Sequence, residues 1–217
     1  MVKAVIFDMD GVIFDSERAT LYCWQEIAKR HRLENLEENY YKCIGVTREV
    51  TERIMKDAYG EDFPYDAFAK EASILYHERY GGGRMPLKEG VREILSYLSE
   101  RKLPVAIASS TRELRVREHL RDAGLLSYFS VIVGGERVGR SKPAPDIFLL
   151  AAEELGADPS GCLVIEDSFN GIRAAHAAGM QPVMVPDMLQ PDDEIAGKCV
   201  AVRKSLLEVI PFLGQMV

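Results

Sequence analysis

Along the chain, short runs of consecutive apolar residues, many of them β-branched, alternate with longer stretches in which apolar positions recur every three or four residues. The short runs, at 3–7, 104–108, 130–133, 162–165 and 182–185, predict β-strands. They are apolar on successive positions, as expected of strands covered by helices on both faces. Val91, Ile94, Leu95 and Leu98 fall on one helix face, and Ile147, Leu150, Ala151 and Leu155 on another. Gly124, Gly156 and Gly179 follow helical stretches where a left-handed C-terminal cap belongs, and each marks a turn back toward the sheet. Strands alternating with helices imply βαβ units, so the expected fold class is α/β with a parallel sheet.

One interval breaks this alternation. Between the first strand and a helix near residue 88 the helical period continues with no strand signal, whereas a crossover needs only about a dozen residues. The excess predicts a helical insertion at 15–83, with helices near 16–31, 47–58 and 65–79, and a core made of 1–14 and 84–217. Gly81, Gly82 and Gly83 close the insertion, as a flexible joint for a moving lid or as a loose surface turn.

Composition narrows the class further. With 217 residues, 47% hydrophobic and 28% charged, the chain is neither disordered, collagen-like nor a coiled coil. Lys and Arg total 27 against 34 Asp and Glu, and a net charge of -7 disfavours nucleic acid and anionic lipid as partners. No run approaches about 18 apolar residues. Asp8 and Asp10 interrupt the opening apolar run, so neither membrane insertion nor export is expected. Cys23, Cys43, Cys162 and Cys199 have no paired spacing and read as reduced thiols of a cytoplasmic protein. His31, His77, His119 and His176 lie in helical stretches without metal-ligand spacing.

Candidate chemistry collects at the ends of the predicted strands. Asp8 and Asp10 lie two positions apart where the first strand ends, followed by Gly11, which permits a sharp turn. Such a pair suits a divalent cation or divided acid and base roles, and equally a capped turn. Glu166 and Asp167 end another apolar run. In a parallel sheet these ends share one edge, and four converging acids would need a cation, which hard carboxylate oxygens make magnesium. Alternatively, Glu166 and Asp167 cap the next helix. Ser109 stands where a strand passes into a helix start that can receive an anionic oxygen, and Ser110 and Thr111 read as N-cap residues. Lys142, between Ser141 and Pro143 on a stiff loop, is either a fixed positive charge or a solvated lysine.

In order and spacing, Asp8-Met9-Asp10-Gly11-Val12, Ser109, Lys142 and Glu166-Asp167 resemble the haloacid dehalogenase superfamily of phosphotransferases and hydrolases over essentially the whole chain. The resemblance implies a Rossmann-like, doubly wound core with an inserted helical cap. It makes Asp8 the nucleophile, Asp10 the general acid and base, Ser109 and Lys142 phosphate ligands, and Asp8, Asp10, Glu166 and Asp167 the Mg2+ site, Asp10 through its main-chain carbonyl. An acid at Asp10 favours phosphoryl transfer over carbon–halogen cleavage, because a departing halide needs no proton.

The segment Gly45-Val46-Thr47-Arg48-Glu49 resembles the cap loop of β-phosphoglucomutase and related sugar-phosphate phosphatases, which makes Arg48 a candidate for the far end of the substrate. Thr20 stands where that mutase has a histidine. The expectation is a monomeric, magnesium-dependent phosphatase for a small phosphate ester of the sugar-phosphate type. The alternatives are a β-phosphoglucomutase-type phosphotransferase and a non-catalytic binding domain on the same fold. Trp24, Tyr22 and Tyr65 read as packing aromatics.

Overall fold

The computed structural model describes residues 1–44 and 46–216. The chain divides into two compact units, Ser16–Met85 and a second made of Met1–Asp15 with Pro86–Val217.

Among the described residues the first unit holds four helices, α1 (Ser16–His31), α2 (Leu36–Cys43), α3 (Arg48–Tyr59) and α4 (Tyr65–Tyr80). α2 is absent from the sequence expectation, because its LEENYYKC buries only Leu36, Asn39 and Tyr40 and shows little apolar period. Ile27, Leu36, Met55, Phe68 and Ala72 make the core of this unit. The Trp24 ring stands edge-on to Tyr40 and Phe68, each at 5.3 Å, and so serves packing. Thr47 caps α3, its hydroxyl accepting from the Val50 amide. At the other end Gly81 donates its N–H to the His77 carbonyl, and Gly82 and Gly83 adopt φ of 66° and 81°.

The second unit is an all-parallel sheet of β1 (Ala4–Phe7), β2 (Val105–Ser109), β3 (Val131–Gly134), β4 (Cys162–Glu166), β5 (Gln181–Met184) and β6 (Ala201–Val202). The order is β3-β2-β1-β4-β5-β6. Five strands fall within a residue of the expected runs at either end. β6 has only two residues, too few for a periodic signal, and exists as a strand through its pairing with β5.

Among the described residues six α-helices accompany the sheet: α5 (Val91–Glu100), α6 (Glu113–Asp122), α7 (Asp146–Leu155), α8 (Phe169–Ala177), α9 (Asp193–Lys198) and α10 (Leu206–Leu213). Val91, Ile94, Leu95 and Leu98 of α5 are buried as their spacing requires, each stabilising the fold by about 1.5–3 kcal/mol. Ile147, Phe148, Ala151 and Ala152 of α7 pack with Ala4, Ile6, Ala106, Ala108 and Val164 of the central strands. Small residues on this face of β1 and β2 let α7 sit close, which matters for the lysine that precedes it.

Where the chain leaves and re-enters this unit, the two segments run side by side. Asp15 donates its amide to the Pro86 carbonyl, Lys88 to Ile13, and Phe14 bridges Leu87. The Lys88 ammonium ties them further, donating to the buried Asp187 at 2.6 Å and to Asp15 at 3.3 Å.

Candidate active site

The strand order reverses at β1: the chain first builds outward through β2 and β3, then returns to the other side of β1 with β4. At such a reversal the connections diverge and leave a crevice at the carboxyl ends of the strands. Phe7 is in register with both Ile107 and Ile165, so Asp8 comes level with Ala108 and Glu166. Residues level with one another in adjacent parallel strands share a face, which brings the carboxylates of Asp8 and Glu166 to the same side.

Lys142 fills the space between them. Its ammonium donates to Asp8 Oδ1 at 2.5 Å, to Glu166 Oε1 at 2.8 Å and to the Ala108 carbonyl at 3.2 Å. With 7% of its side chain exposed it is no solvated loop lysine. Its loop leads into α7, with Pro145 at the N-cap, and the ammonium lies 4.9 Å from the centroid of the Phe148 ring. Burial works against the charge of Lys142, but the carboxylates of Asp8 and Glu166 outweigh it and hold the group above the ordinary lysine range. Burial pushes the Asp8 carboxyl up to about 7; Lys142 pulls against this, while Glu166 and Asp10 add to it.

Glu166, 1% exposed, is committed through both oxygens. Oε1 receives Lys142, and Oε2 accepts the amides of Asp167 at 2.8 Å and Ser168 at 2.7 Å. The N-cap of α8 is the residue after these two acids, Ser168, its hydroxyl accepting from the Gly171 amide at 3.0 Å. Gly171 itself is a site residue that the sequence reading passed over: a Cβ there would overlap the Glu166 carboxylate. Its only sequence signal is its place three residues after the capping serine. Gly171→Ala is expected to cost about 2–3 kcal/mol by forcing a pinned, buried carboxylate from its partners. Gly197→Ala in α9, where a Cβ meets nothing within 4 Å, is expected to leave stability level or raise it by up to about 1 kcal/mol. Urea midpoints of the two variants check this, and equal midpoints would contradict the tight fit.

Gly11 answers to two demands. Its φ is 78°, and a Cβ would strike the Asp167 carboxylate, so the turn after Asp10 and the acid after β4 meet there. Ser109 is 1% exposed, and its hydroxyl accepts from the Thr111 amide at 3.1 Å. Ser110 and Thr111, read from sequence as N-caps, do not cap α6. That place falls to Arg112, which makes no side-chain cap, and the Glu136 carboxylate accepts from the Glu113 amide at 3.0 Å instead. The Thr111 hydroxyl donates to Asp10 Oδ2 at 2.9 Å. The α6 start carries no local capping signal because its capping group comes from a segment distant in sequence.

Among the described residues no group of three or more His, Cys, Asp or Glu side chains is placed to hold a metal ion. The oxygen donors at these strand ends are the Asp8, Asp10, Glu166 and Asp167 carboxylates and main-chain carbonyls, with Asp8 and Glu166 also accepting from Lys142. That set fits magnesium, which takes one or two carboxylates and keeps several waters, better than it fits zinc. Arg48 begins α3 and pairs with Asp66 at 2.7 Å, with 62% of its side chain exposed and its guanidinium 5.5 Å from the Tyr65 ring centroid. Gly45, in the same segment, lies outside the described residues. The four cysteines are free thiols, and none of the described helices is long and apolar enough to cross a membrane.

A doubly wound parallel sheet whose reversal point carries two acid-bearing strand ends bridged by a buried lysine defines a Rossmann-like α/β enzyme. The chain belongs to the haloacid dehalogenase-like hydrolases, whose family model matches residues 2–179. It is 33% identical over 184 residues to a phosphorylated carbohydrates phosphatase of Thermotoga maritima, covering 84% of each protein. A fructose-1-phosphate phosphatase of Escherichia coli is 32% identical over 184 residues, covering 83% of this chain and 95% of that one. Among solved structures, a haloacid dehalogenase family hydrolase from Deinococcus radiodurans, with bound phosphate and sodium, superposes with a TM-score of 0.83 at 29% identity. That match covers 99% of this chain and 96% of the other.

Proposed function

We propose that the protein is a magnesium-dependent phosphatase that hydrolyses a small phosphate ester of the sugar-phosphate class through an aspartyl-phosphate on Asp8. The observation that carries this reading is the buried Asp8–Lys142–Glu166 cluster at the reversal point of the sheet. The names of the phosphatase relatives and the phosphate bound in the Deinococcus structure support it.

A carboxylate attacks phosphorus only when the charge on the phosphoryl oxygens is balanced. Magnesium, held by Asp8, Asp167 and the main-chain carbonyl of Asp10, would neutralise part of that charge. Lys142 supplies further positive charge, and Ser109 with the amides at the start of α6 supplies donors. An oxygen of Asp8 bonds to phosphorus as the ester P–O bond breaks, and Asp10 gives its proton to the departing oxygen. Water then attacks the phosphoryl-aspartate, Asp10 takes the water's proton, and inorganic phosphate leaves with Asp8 restored. Glu166 holds Lys142 and the turn after β4, and with Asp167 it stands on the magnesium side of the site. The helical unit Ser16–Met85 serves as the cap, with Arg48 as its substrate contact once released from Asp66. Small metabolites and reduced thiols fit a cytoplasmic, monomeric protein.

Phosphate release from a panel of phosphorylated metabolites, with and without magnesium, tests the reading. Turnover of sugar phosphates that stops on chelation is expected. Release from no ester of the panel would leave a non-catalytic domain on this fold. Conversion of β-glucose 1-phosphate to glucose 6-phosphate in the presence of the bisphosphate, without free phosphate, would make the protein a mutase.

A further inference from the structure

We infer that Thr111 is a positioning residue that fixes the angle at which the Asp10 carboxylate is presented, which rests on the role of Asp10 proposed above. The Thr111 hydroxyl has one proton, and its acceptor among the described residues is Asp10 Oδ2, 2.9 Å away. Among the described residues this bond anchors Oδ2, and none is recorded to Oδ1.

The aim of that hydroxyl is set by its backbone. The Thr111 amide donates to the buried Ser109 Oγ at 3.1 Å, and its carbonyl accepts from the Gly135 amide at 3.2 Å. One residue on, the start of α6 is tied to Glu136 through the Glu113 amide. Thr111 is thus held at its amide, its carbonyl and its hydroxyl, joining the ends of β1, β2 and β3. A helix cap needs only one of these contacts and none to Asp10, so capping does not account for the arrangement. A carboxylate ordinarily swings about its last bond. Anchoring one oxygen presents the other at a constant angle, and general-acid transfer is sensitive to such misplacement.

The experiment compares single-turnover release of the leaving group, which reads phosphorylation of Asp8 apart from the later attack by water, from p-nitrophenyl phosphate, whose leaving group departs without a proton, and from an alkyl phosphate such as glycerol 3-phosphate, in wild type, Asp10→Asn, Thr111→Val and Thr111→Ser. Thr111→Val, which matches threonine in shape, is expected to lower this rate for the alkyl ester by about tenfold. It should change the rate for the nitrophenyl ester less than about twofold, and Thr111→Ser should restore the alkyl rate. Equal effects on both esters, no effect on either, or failure of serine to restore the rate would overturn the inference. Asp10→Asn serves as the reference. If it slows both esters equally, the proton-donor role itself fails. If it spares the nitrophenyl ester while Thr111→Val does not discriminate, only the inference about Thr111 fails. Should the valine variant not fold, Thr111→Ala with the serine variant gives the same comparison.

Discussion

Asp8→Asn is expected to lower phosphate release by about a thousandfold or more for every ester the protein accepts, while the protein stays folded. Asparagine keeps the shape of the side chain and an oxygen that can still accept from Lys142, so the 2.5 Å contact changes character rather than vanishing. It removes a carboxylate that burial already disfavours as an anion. What it cannot replace is the charged oxygen that bonds to phosphorus. Circular dichroism and turnover, read together, separate loss of chemistry from loss of fold. Acid quenching of wild type with labelled substrate should trap phosphate on the protein, and Asp8→Asn should trap none. Substantial activity in Asp8→Asn would mean that the phosphoryl group passes directly to water.

Lys142→Met should abolish turnover and also destabilise the fold by about 3–5 kcal/mol, a large part of a typical total of about 5–15 kcal/mol. The lysine is the only cation recorded within ion-pair distance of Asp8 and Glu166 among the described residues, and their side chains are 10% and 1% exposed. Without it, two neighbouring buried carboxylates face each other with no counter-charge. The pH dependence of metal-free Lys142→Met follows from the same cause. Burial holds the Asp8 carboxyl above its ordinary value, and loss of the ammonium removes what opposed this. The folded variant then binds more protons than the unfolded chain between the ordinary carboxyl value and the raised one. Its stability therefore falls as pH rises through that window and is partly regained as pH falls. Denaturation midpoints measured across the window check this. A variant as stable as wild type at neutral pH would contradict the buried-pair account.

Much of the fold was legible because its signals are local. The run from Ala4 to Phe7 is apolar at every position since helices cover both faces of the sheet, and Val91, Ile94, Leu95 and Leu98 repeat with the turn of a helix because only one side of α5 is buried. α2 and β6 escaped for the opposite reason. One is mostly polar and the other is two residues long, so each depends on neighbours rather than on its own pattern. In the site, Asp8, Asp10, Ser109, Lys142, Glu166 and Asp167 could be named because acids, hydroxyls and a lysine at strand ends are chemically conspicuous. Thr111 and Gly171 could not, since a threonine at a helix start and a glycine inside a helix have ordinary local uses.

The sequence by itself determined the alternation of strand and helix, the place of the inserted helices in the chain, and the order of the acidic pairs, because each is written in residue type and spacing along one dimension. Only the tertiary structure decided that Lys142 lies between Asp8 and Glu166, that Glu166 spends its second oxygen on main-chain amides, that Gly171 makes room for it, and that Thr111 reaches Asp10 across a separation of 101 residues. Those partnerships follow from the register of β1 between β2 and β4, and a register is a relation among distant segments that no local pattern encodes.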